Sequence, residues 1–378
     1  MNEQRRIRFG FQAAPTSDVP QPDAALYDEV IEDCVLGHGL GYDAAWMLEH
    51  HFSDYYPTPS PLLFMAHVAA ICPGLGLGTC VLVLPWYHPL RLAEEISMLN
   101  TLCQGPLHLG LGRGTAKSEY DAYGVAMSEA RARFVETWDI LRKGLSGKEF
   151  THQGRFWRVE RPIRLRPEPT AKPIGFYGAI GSLGSAEIMA DLGLPPICLA
   201  QFPDHLLTRI LSVWRERTRS LGRDAEATFP LSIKVIVADT DDEAYALGRK
   251  YYPRNFEIQA RHYEVDANPW ENIPEYEQFS RMFSNMRALT DPDKLGPFMQ
   301  MNLVGSADTV ERRIRTLADI GFNYFAISAA TPGSDAGFRR EMLTRFAKEV
   351  APRFDPSFGA ARPDADLRAP GRRAAVAG

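Results

Sequence analysis

Two adjacent histidines are placed where they could transfer protons. His50 and His51, preceded by Glu49, directly follow the apolar segment 44–48, which we predict to be a strand. A histidine has a pKa of about 6.5, so its ring suits general acid–base work near neutral pH. Neighbouring residues of a strand point to opposite sides, so at most one ring faces a given site. An alternative fits equally well, in which both rings only satisfy buried hydrogen bonds with Glu49.

A second group of residues could bind an anion. Arg113 follows the apolar segment 107–111, and a guanidinium can hold a phosphate through two hydrogen bonds. Residues 178–185 open a predicted helix, whose free N–H groups attract negative charge. A surface ion pair for the arginine and helix capping by a serine are the simpler readings. Because the two segments follow neighbouring strands, we expect them to hold one phosphate jointly, through Arg113, Gly181, Ser182 and Ser185.

Aromatic residues near the histidines could line an apolar pocket for a planar ring. Most of them follow the third predicted strand. We expect Trp46, which lies within a strand, to belong to the core instead. The other candidates are Phe52, Trp86, Tyr87 and His88.

These residues need a scaffold that gathers strand ends, and the apolar pattern predicts one. Repeated strand–helix alternation gives parallel strands joined by right-handed crossovers. Eight such units, and no G-x-G-x-x-G after the first strand, favour a (β/α)₈ TIM barrel over an open doubly wound sheet. In such a barrel, four groups of candidate residues lie at the C-terminal ends of strands, where TIM barrels carry their active sites. These are the groups around His50, Trp86, Arg113 and Gly181. The predicted strands are residues 7–11, 44–48, 75–84, 107–111, 174–177, 197–200, 232–238 and 324–328.

Three segments depart from a minimal barrel. Residues 146–172 are rich in Arg and Pro and form an excursion with a predicted hairpin. Residues 249–302 form a long insertion before the last strand, and loops of that length commonly act as lids or binding surfaces. Residues 355–378 are Ala, Pro and Arg with little to bury, and we expect a mobile tail. The sequence thus predicts one domain over residues 1–354.

Composition narrows the function classes. The 378 residues carry 42 Lys and Arg against 47 Asp and Glu, a net charge of −5, so neither nucleic acid nor an anionic membrane is an expected partner. We find no apolar run of membrane-spanning length and no secretory signal. Five scattered cysteines without a C-x-x-C pair fit a reducing cytoplasm. Adjacent histidines lack the H-E-x-x-H spacing, and we predict no metal site.

Taken in order, several motifs resemble the bacterial luciferase family of flavin-dependent monooxygenases. The resemblance covers about residues 5–350, apart from the insertion. The motifs are D-x-x-W-x-x-E-H-H-F at 43–52, GLGTCVLVLPWYHP at 76–89, LHLGLGRG at 107–114, SLGSAE at 182–187 and VGSA at 304–307.

The resemblance implies a role for each site residue. His50 matches the catalytic acid/base beside the flavin, and His51 its neighbour, which also influences activity. Arg113 matches the arginine that binds the FMN phosphate, while Gly181, Ser182 and Ser185 close the same phosphate site. Cys80 and Val81 fall where family members carry a non-proline cis peptide behind the flavin ring. Gly112 replaces a reactive cysteine of luciferases, so light emission and a long-chain aldehyde substrate are not implied.

The reaction implied by the resemblance uses reduced FMN and O₂. A C4a-(hydro)peroxyflavin would transfer oxygen to a small organic substrate inside a dry pocket. Since the chain has no second nucleotide fingerprint, we expect a separate flavin reductase to supply FMNH₂. A homodimer is also expected from the family.

Three alternatives remain at this point. The first is an F420-dependent oxidoreductase of the same superfamily, which transfers hydride without oxygen. The second is a non-catalytic flavin-binding or partner subunit, against which His50 argues. The third is a metal-dependent hydrolase using Glu49, His50, His51 and His88.

Overall fold

Parallel strands close into a barrel in the computed structural model, which describes residues 6–273, 275–276, 280, 283, 285–356 and 358. Strands β1, β2, β3, β4, β7, β8, β9 and β11 pair in that order, and β11 pairs again with β1. The predicted (β/α)₈ TIM barrel is therefore confirmed. The strands are β1 (Arg8–Gln12), β2 (Ala44–Met47), β3 (Gly76–Val83), β4 (Leu107–Gly112), β5 (Phe150–Gln153), β6 (Arg158–Ile163), β7 (Ile174–Ala179), β8 (Pro196–Leu199), β9 (Pro230–Ala238), β10 (Leu303–Ser306) and β11 (Tyr324–Ser328).

Helices between the strands cover the outside of the barrel. Because both faces of the parallel strands are covered, strands such as β2, β4 and β11 are buried along their whole length. The α-helices are α1 (Asp23–Gly39), α2 (Pro61–Ile71), α3 (Pro89–Leu102), α4 (Lys117–Ala122), α5 (Ala130–Gly144), α6 (Leu183–Leu192), α7 (Asp204–Ser220), α8 (Asp241–His262), α9 (Gly296–Met301), α10 (Ala307–Ile320) and α11 (Ala336–Arg345).

Aromatic side chains fill the barrel interior below the strand ends. The Trp46 indole stacks on His108 at 5.5 Å between ring centroids and meets the edge of Tyr324 at 5.3 Å. Burial lowers the pKa of His108 to about 3, and the charge of Arg8 adds to this effect, so the ring is neutral. The prediction that Trp46 belongs to the core is confirmed. This layer of packed side chains fills the barrel below its C-terminal end.

The excursions differ from the predictions in detail. β5 and β6 form the predicted antiparallel hairpin. β10 was not predicted, because four residues of sequence LVGS give little periodic signal; it pairs with β9 over Val235 to Ala238. The predicted insertion 249–302 begins inside α8, which starts at a capping box formed by Thr240 and Glu243.

The predicted mobile tail, 355–378, lies outside the described residues except for positions 355, 356 and 358. Phe358 is buried and packs edge-on against Phe9 and Tyr42. The packed part of the chain therefore extends past residue 354. Within the described residues, no helix has the length and apolarity needed to cross a membrane.

Candidate active site

A large cavity opens at the C-terminal end of the barrel. The volume of the cavity, including the part that is open to solvent at its mouth, is about 1400 Å³. The ends of several strands and the segment after α8 contribute to its wall, as expected for a site built from βα loops. Its lining includes Gln12, Leu48, His50, Tyr55, Tyr56, Cys80, Val81, Arg113, Gly181, Ser185, Ser232, Lys234, Tyr263 and Phe283.

His50 faces this cavity beside a buried carboxylate. Its Nδ1 lies 3.7 Å from Oε1 of Glu119 and has no hydrogen-bond partner. His262 approaches the same oxygen, with Nε2 at 3.6 Å, and this nitrogen is also unpaired. The donor atoms of the three residues lie within 4.8 Å of one another, a spacing that could hold a divalent metal ion.

His262 is held as a neutral ring. Burial lowers its pKa to about 2, and the charges of His50 and His51 add to this effect. Its Nδ1 shares a hydrogen bond of 2.7 Å with the hydroxyl of Ser53. Sequence reasoning missed both Glu119 and His262, since each comes from a helix without a recognisable motif around it.

His51 lies behind the cavity wall, and it contacts Glu49, which does line the cavity. The His51 ring contacts Oε1 of Glu49 at 3.2 Å and the hydroxyl of Tyr123 at 2.9 Å. The other oxygen of Glu49 accepts the N–H of Val83 at 3.0 Å. His51 also donates its backbone N–H to Glu119 at 2.8 Å, which places the carboxylate next to His50. Only His50 of the two predicted histidines therefore reaches the cavity.

The residues predicted to bind an anion lie close together, and one additional residue, Arg131, joins them. Arg113 Nη1 and Arg131 Nε both donate to the same oxygen of Glu275, each at 2.8 Å. Arg131 also donates to the hydroxyl of Ser185 at 3.3 Å. Ser182 is the N-cap of α6 and accepts the N–H of Ser185 at 3.2 Å. The two strand ends thus meet through Arg131, which sequence reasoning missed.

A carboxylate occupies the centre of this anion site, and a phosphate fits its donors. Nη1 of Arg131 is buried and has no hydrogen-bond partner, so one donor is left for a further oxygen. Burial lowers the pKa of Arg131, and the charge of Arg113 lowers it further, which favours an anion with more than one charge. The N-terminus of α6 adds free N–H groups.

A flat stretch of backbone lines the cavity between His50 and the anion site. The peptide bond between Cys80 and Val81 is cis, as the resemblance implied. Gly112 lies directly beneath it: a Cβ there would be 2.3 Å from Cγ2 of Val81, so only glycine fits. Burial raises the pKa of the Cys80 thiol to about 12, which leaves the thiol protonated and unreactive.

The aromatic residues predicted to line the pocket do not do so. Trp86 packs on Tyr123 behind the wall and donates to Glu49 at 3.0 Å, and Phe52 is largely exposed. His88 packs against Trp157 of the hairpin at 4.7 Å. The metal-hydrolase set that included His88 is therefore not assembled. The aromatic lining instead comes from Tyr55, Tyr56, Phe202, Tyr263 and Phe283.

Comparison with known proteins decides the family. The model of the luciferase-like monooxygenase family matches residues 7–324. The chain belongs to this family. The resemblance found in the motifs is confirmed, and with it the class of enzyme, an oxidoreductase of the monooxygenase type.

Two relatives of this luciferase-like monooxygenase illustrate the range of similarity. The oxygenase component of the flavin-dependent trigonelline monooxygenase of Acinetobacter baylyi is 32% identical over 359 residues, which cover 89% of this chain and 92% of that protein. An uncharacterised protein of Sinorhizobium fredii is 44% identical over 153 residues, which are 40% of this chain and 43% of that protein.

Two solved structures share the barrel of this luciferase-like monooxygenase at low identity. The oxygenating constituent of 3,6-diketocamphane monooxygenase from Pseudomonas putida, in complex with FMN, has a TM-score of 0.71 and 22% identity, over 92% of this chain and 99% of that one. An F420-dependent secondary alcohol dehydrogenase has a TM-score of 0.69 and 16% identity, over 90% and 98%. Both similarities concern the fold.

Proposed function

We propose that this chain is the oxygenase of a two-component system, which uses reduced FMN and O₂ to oxygenate a small organic substrate. The observation that carries the proposal is the pair of guanidiniums on one carboxylate, Arg113 and Arg131 on Glu275, beside Ser185. A cofactor that ends in a phosphate would find its ligands there. His50 lies on the wall of the same cavity.

The residues that would hold FMN divide into two groups. Arg113, Arg131 and Ser185 would bind the phosphate, together with the N-terminus of α6. Cys80 and Val81, which are joined by a cis peptide bond, line the cavity and would contact the ring. When bound, reduced FMN supplies the electrons that activate O₂ for insertion of one oxygen atom into an organic substrate.

The chain's own residues manage protons and exclude water. His50 would hold or release a proton at the cavity wall, and the carboxylate of Glu119 lies 3.7 Å from its Nδ1. Tyr55, Tyr263 and Phe283 cover the cavity with aromatic surface, which keeps bulk water from the reacting atoms. Trp270 anchors this cover by donating to the carbonyl of Thr115 at 2.7 Å.

A separate reductase is part of the proposal. The 32% identical relative is named as the oxygenase component of a flavin-dependent monooxygenase, which is the arrangement proposed here. By the same comparison, we propose a small planar organic compound as substrate. The purified chain should oxidise NADH slowly in the presence of FMN, and a flavin reductase should restore turnover. Rapid NADH oxidation by the chain alone would contradict this part.

Anaerobic titration with reduced flavins tests the cofactor. Reduced FMN should bind more tightly than reduced riboflavin, which lacks the phosphate, and Arg131→Gln should weaken FMN by about 1.5–3 kcal/mol, or roughly 10- to 100-fold. Glu275→Gln should have the opposite effect and raise the affinity for reduced FMN, because it removes the carboxylate that competes with the phosphate. Neither variant should alter riboflavin affinity. Equal affinities for FMN and riboflavin, or tighter binding of reduced F420, would overturn the assignment.

A further inference from the structure

A lysine inside the barrel mouth has no part in the mechanism described so far. Lys234 lies in the middle of β9, on the same face as Ser232, and both side chains line the main cavity. Lys234 also borders a smaller cavity, together with Gln201 and Asn302. The side chain is half-buried, and because it lines both cavities, the surface it exposes is open to a ligand.

The partners of Lys234 are all neutral. Its Nζ lies 3.0 Å from the hydroxyl of Tyr56 and 3.0 Å from the carbonyl of Ala330. The hydroxyls of Ser328 and Thr331 are more distant, at 3.3 and 3.5 Å. In the part of the chain that the structure describes, no carboxylate comes within ion-pair distance of this ammonium group.

A bound anion stabilises the ammonium group of Lys234 more than it would stabilise that of an exposed lysine. Removal from bulk water lowers the pKa of Lys234 to about 7, and no charged side chain offsets this effect. Neutral acceptors compensate the lost hydration only in part. A hydrogen bond between an ammonium and a carboxylate is roughly twice as strong as one between neutral groups, and it keeps the lysine charged.

The rest of the wall limits the kind of anion. Arg113 and Lys234 are the only Lys or Arg side chains among the described residues that line the main cavity. Glu275 already pairs with Arg113 at the phosphate end. Around Lys234 the polar groups are amides and hydroxyls, such as Gln12, which donates to Ser232 at 2.6 Å. Most of the remaining wall is aliphatic or aromatic, so the ligand has an apolar body with one acidic group.

We propose that Lys234 binds a carboxylate of the substrate, so that this enzyme acts on an organic acid whose apolar body lies in the cavity. The assignment rests on the proposed function, because it takes the cavity to be the substrate site of a monooxygenase. It makes Lys234 a specificity-determining residue and leaves the phosphate site to the cofactor.

Calorimetric binding to the FMN-saturated protein tests the proposal. Four acids, benzoate, nicotinate, phenylacetate and octanoate, are each compared with the corresponding primary amide, which has the same shape without the charge. At least one acid should bind about tenfold or more tightly than its amide. Lys234→Met, which keeps most of the apolar stem, should reduce that ratio to about threefold or less, and Lys234→Arg should retain it.

Lys172→Met is the matched control, since the hydrogen-bond partners of Lys172 among the described residues are also neutral, the carbonyls of Cys103 and Gly105, but Lys172 does not line the cavity. It should leave the acid-to-amide ratio unchanged. A wild-type ratio near one for all four pairs overturns the proposal, whatever the variants do. A retained ratio in Lys234→Met combined with weakened FMN binding also overturns it and assigns the lysine to the cofactor. Loss of FMN binding by the wild type would instead refute the proposed function.

Discussion

At the scale of single residues, one carboxylate connects the reactive histidine to its surroundings. Oxygen Oε1 of Glu119 accepts the backbone N–H of His51 at 2.8 Å and lies 3.7 Å from His50 and 3.6 Å from His262. His262 is neutral and buried, whereas His50 also faces the cavity. We infer that Glu119 positions His50, because it accepts the backbone N–H of the adjacent His51 and its carboxylate faces the His50 ring.

Glu119→Gln tests this positioning role. The substitution keeps the shape of the side chain but removes its charge. Turnover should fall by about 10- to 100-fold, less than the roughly 10²–10⁴-fold attributed to a general acid–base group itself, because Glu119 acts through His50. FMN affinity should remain unchanged, and Glu119→Asp should restore part of the turnover. Glu160→Gln, at an exposed position, serves as the control. Unchanged turnover in Glu119→Gln would contradict the inference.

Lys234 gives the protein a specific dependence of stability on pH. Its pKa is about 7 in the folded chain and about 10.5 when unfolded, so folding releases a proton between these values. The free energy of unfolding should therefore rise from pH 7 to pH 10, relative to Lys234→Met. Urea denaturation of both proteins across this range measures the difference in their free energies of unfolding. If the pKa of Lys234 were the same in the folded and the unfolded chain, that difference would not change with pH.

Three of the site residues that the sequence predicted stand just after a strand. His50, Arg113 and Gly181 follow β2, β4 and β7, where barrel sites are found. Arg131 and Glu119 come from α5 and α4, and their side chains reach the site only after the helices fold back. No local pattern marks such residues, because helical arginines and glutamates are mostly solvent-exposed.

At the scale of elements, the contact between β3 and β4 shapes the flat part of the cavity wall. The ladder between the two strands shifts register between Thr79 and Leu82, around the cis peptide. Gly112, at the end of β4, lies against Val81 with no room for a side chain. The fit of these two strands determines where the proposed ring-binding surface lies.

Gly112→Ala should therefore destabilise the fold. The new methyl group would overlap Val81, and overpacking of this kind costs about 1–3 kcal/mol. Gly39→Ala is the control, because Gly39 ends α1 with nothing within 4 Å of the added atom, and it should be neutral or stabilising. Urea denaturation measures both. Equal stabilities of the two variants would show that β3 adapts to the methyl group.

The strands of the barrel could be predicted to within a few residues, whereas the segment after β9 could not. Apolar runs between glycines and prolines mark buried parallel strands clearly. The segment 249–302 mixes aromatic and polar residues without a period, although its first part continues α8 as far as His262. Contacts with the barrel, rather than local sequence preference, determine where the end of α8 lies. The sequence alone therefore does not show that His262 reaches the site.

At the scale of the whole molecule, a buried ion-pair network joins the two ends of the chain. Arg339 of α11 donates to Asp33 at 3.0 Å and to Glu29 at 2.8 Å, both in α1. It also donates to the carbonyl of Thr16 at 2.9 Å. These bonds hold the last helix against the first, next to the closure of the barrel between β11 and β1.

Arg339→Met should be strongly destabilising. Removal of one partner leaves buried carboxylates without compensation, which costs about 3–5 kcal/mol. Arg340 also contacts Asp33, at 2.8 Å, but it is partly exposed, so Arg340→Met should cost about 1 kcal/mol or less. Thermal and urea unfolding compare the two variants. Similar losses for both would show that the network tolerates either arginine.

β9 pairs with two different strands along successive halves of its length, and this arrangement bears on which part of the chain can vary in sequence. Its first half pairs with β11 inside the barrel, while Val235 to Ala238 pair with β10 beyond it. The chain leaves β9 after Ala238 and returns as β10, which begins at Leu303 opposite Val235, so both ends of the connecting segment are fixed by one parallel ladder. This segment brings His262 next to Glu119 and Tyr263 to the cavity wall, and we infer that its sequence could change while β11 and β1 still close the barrel.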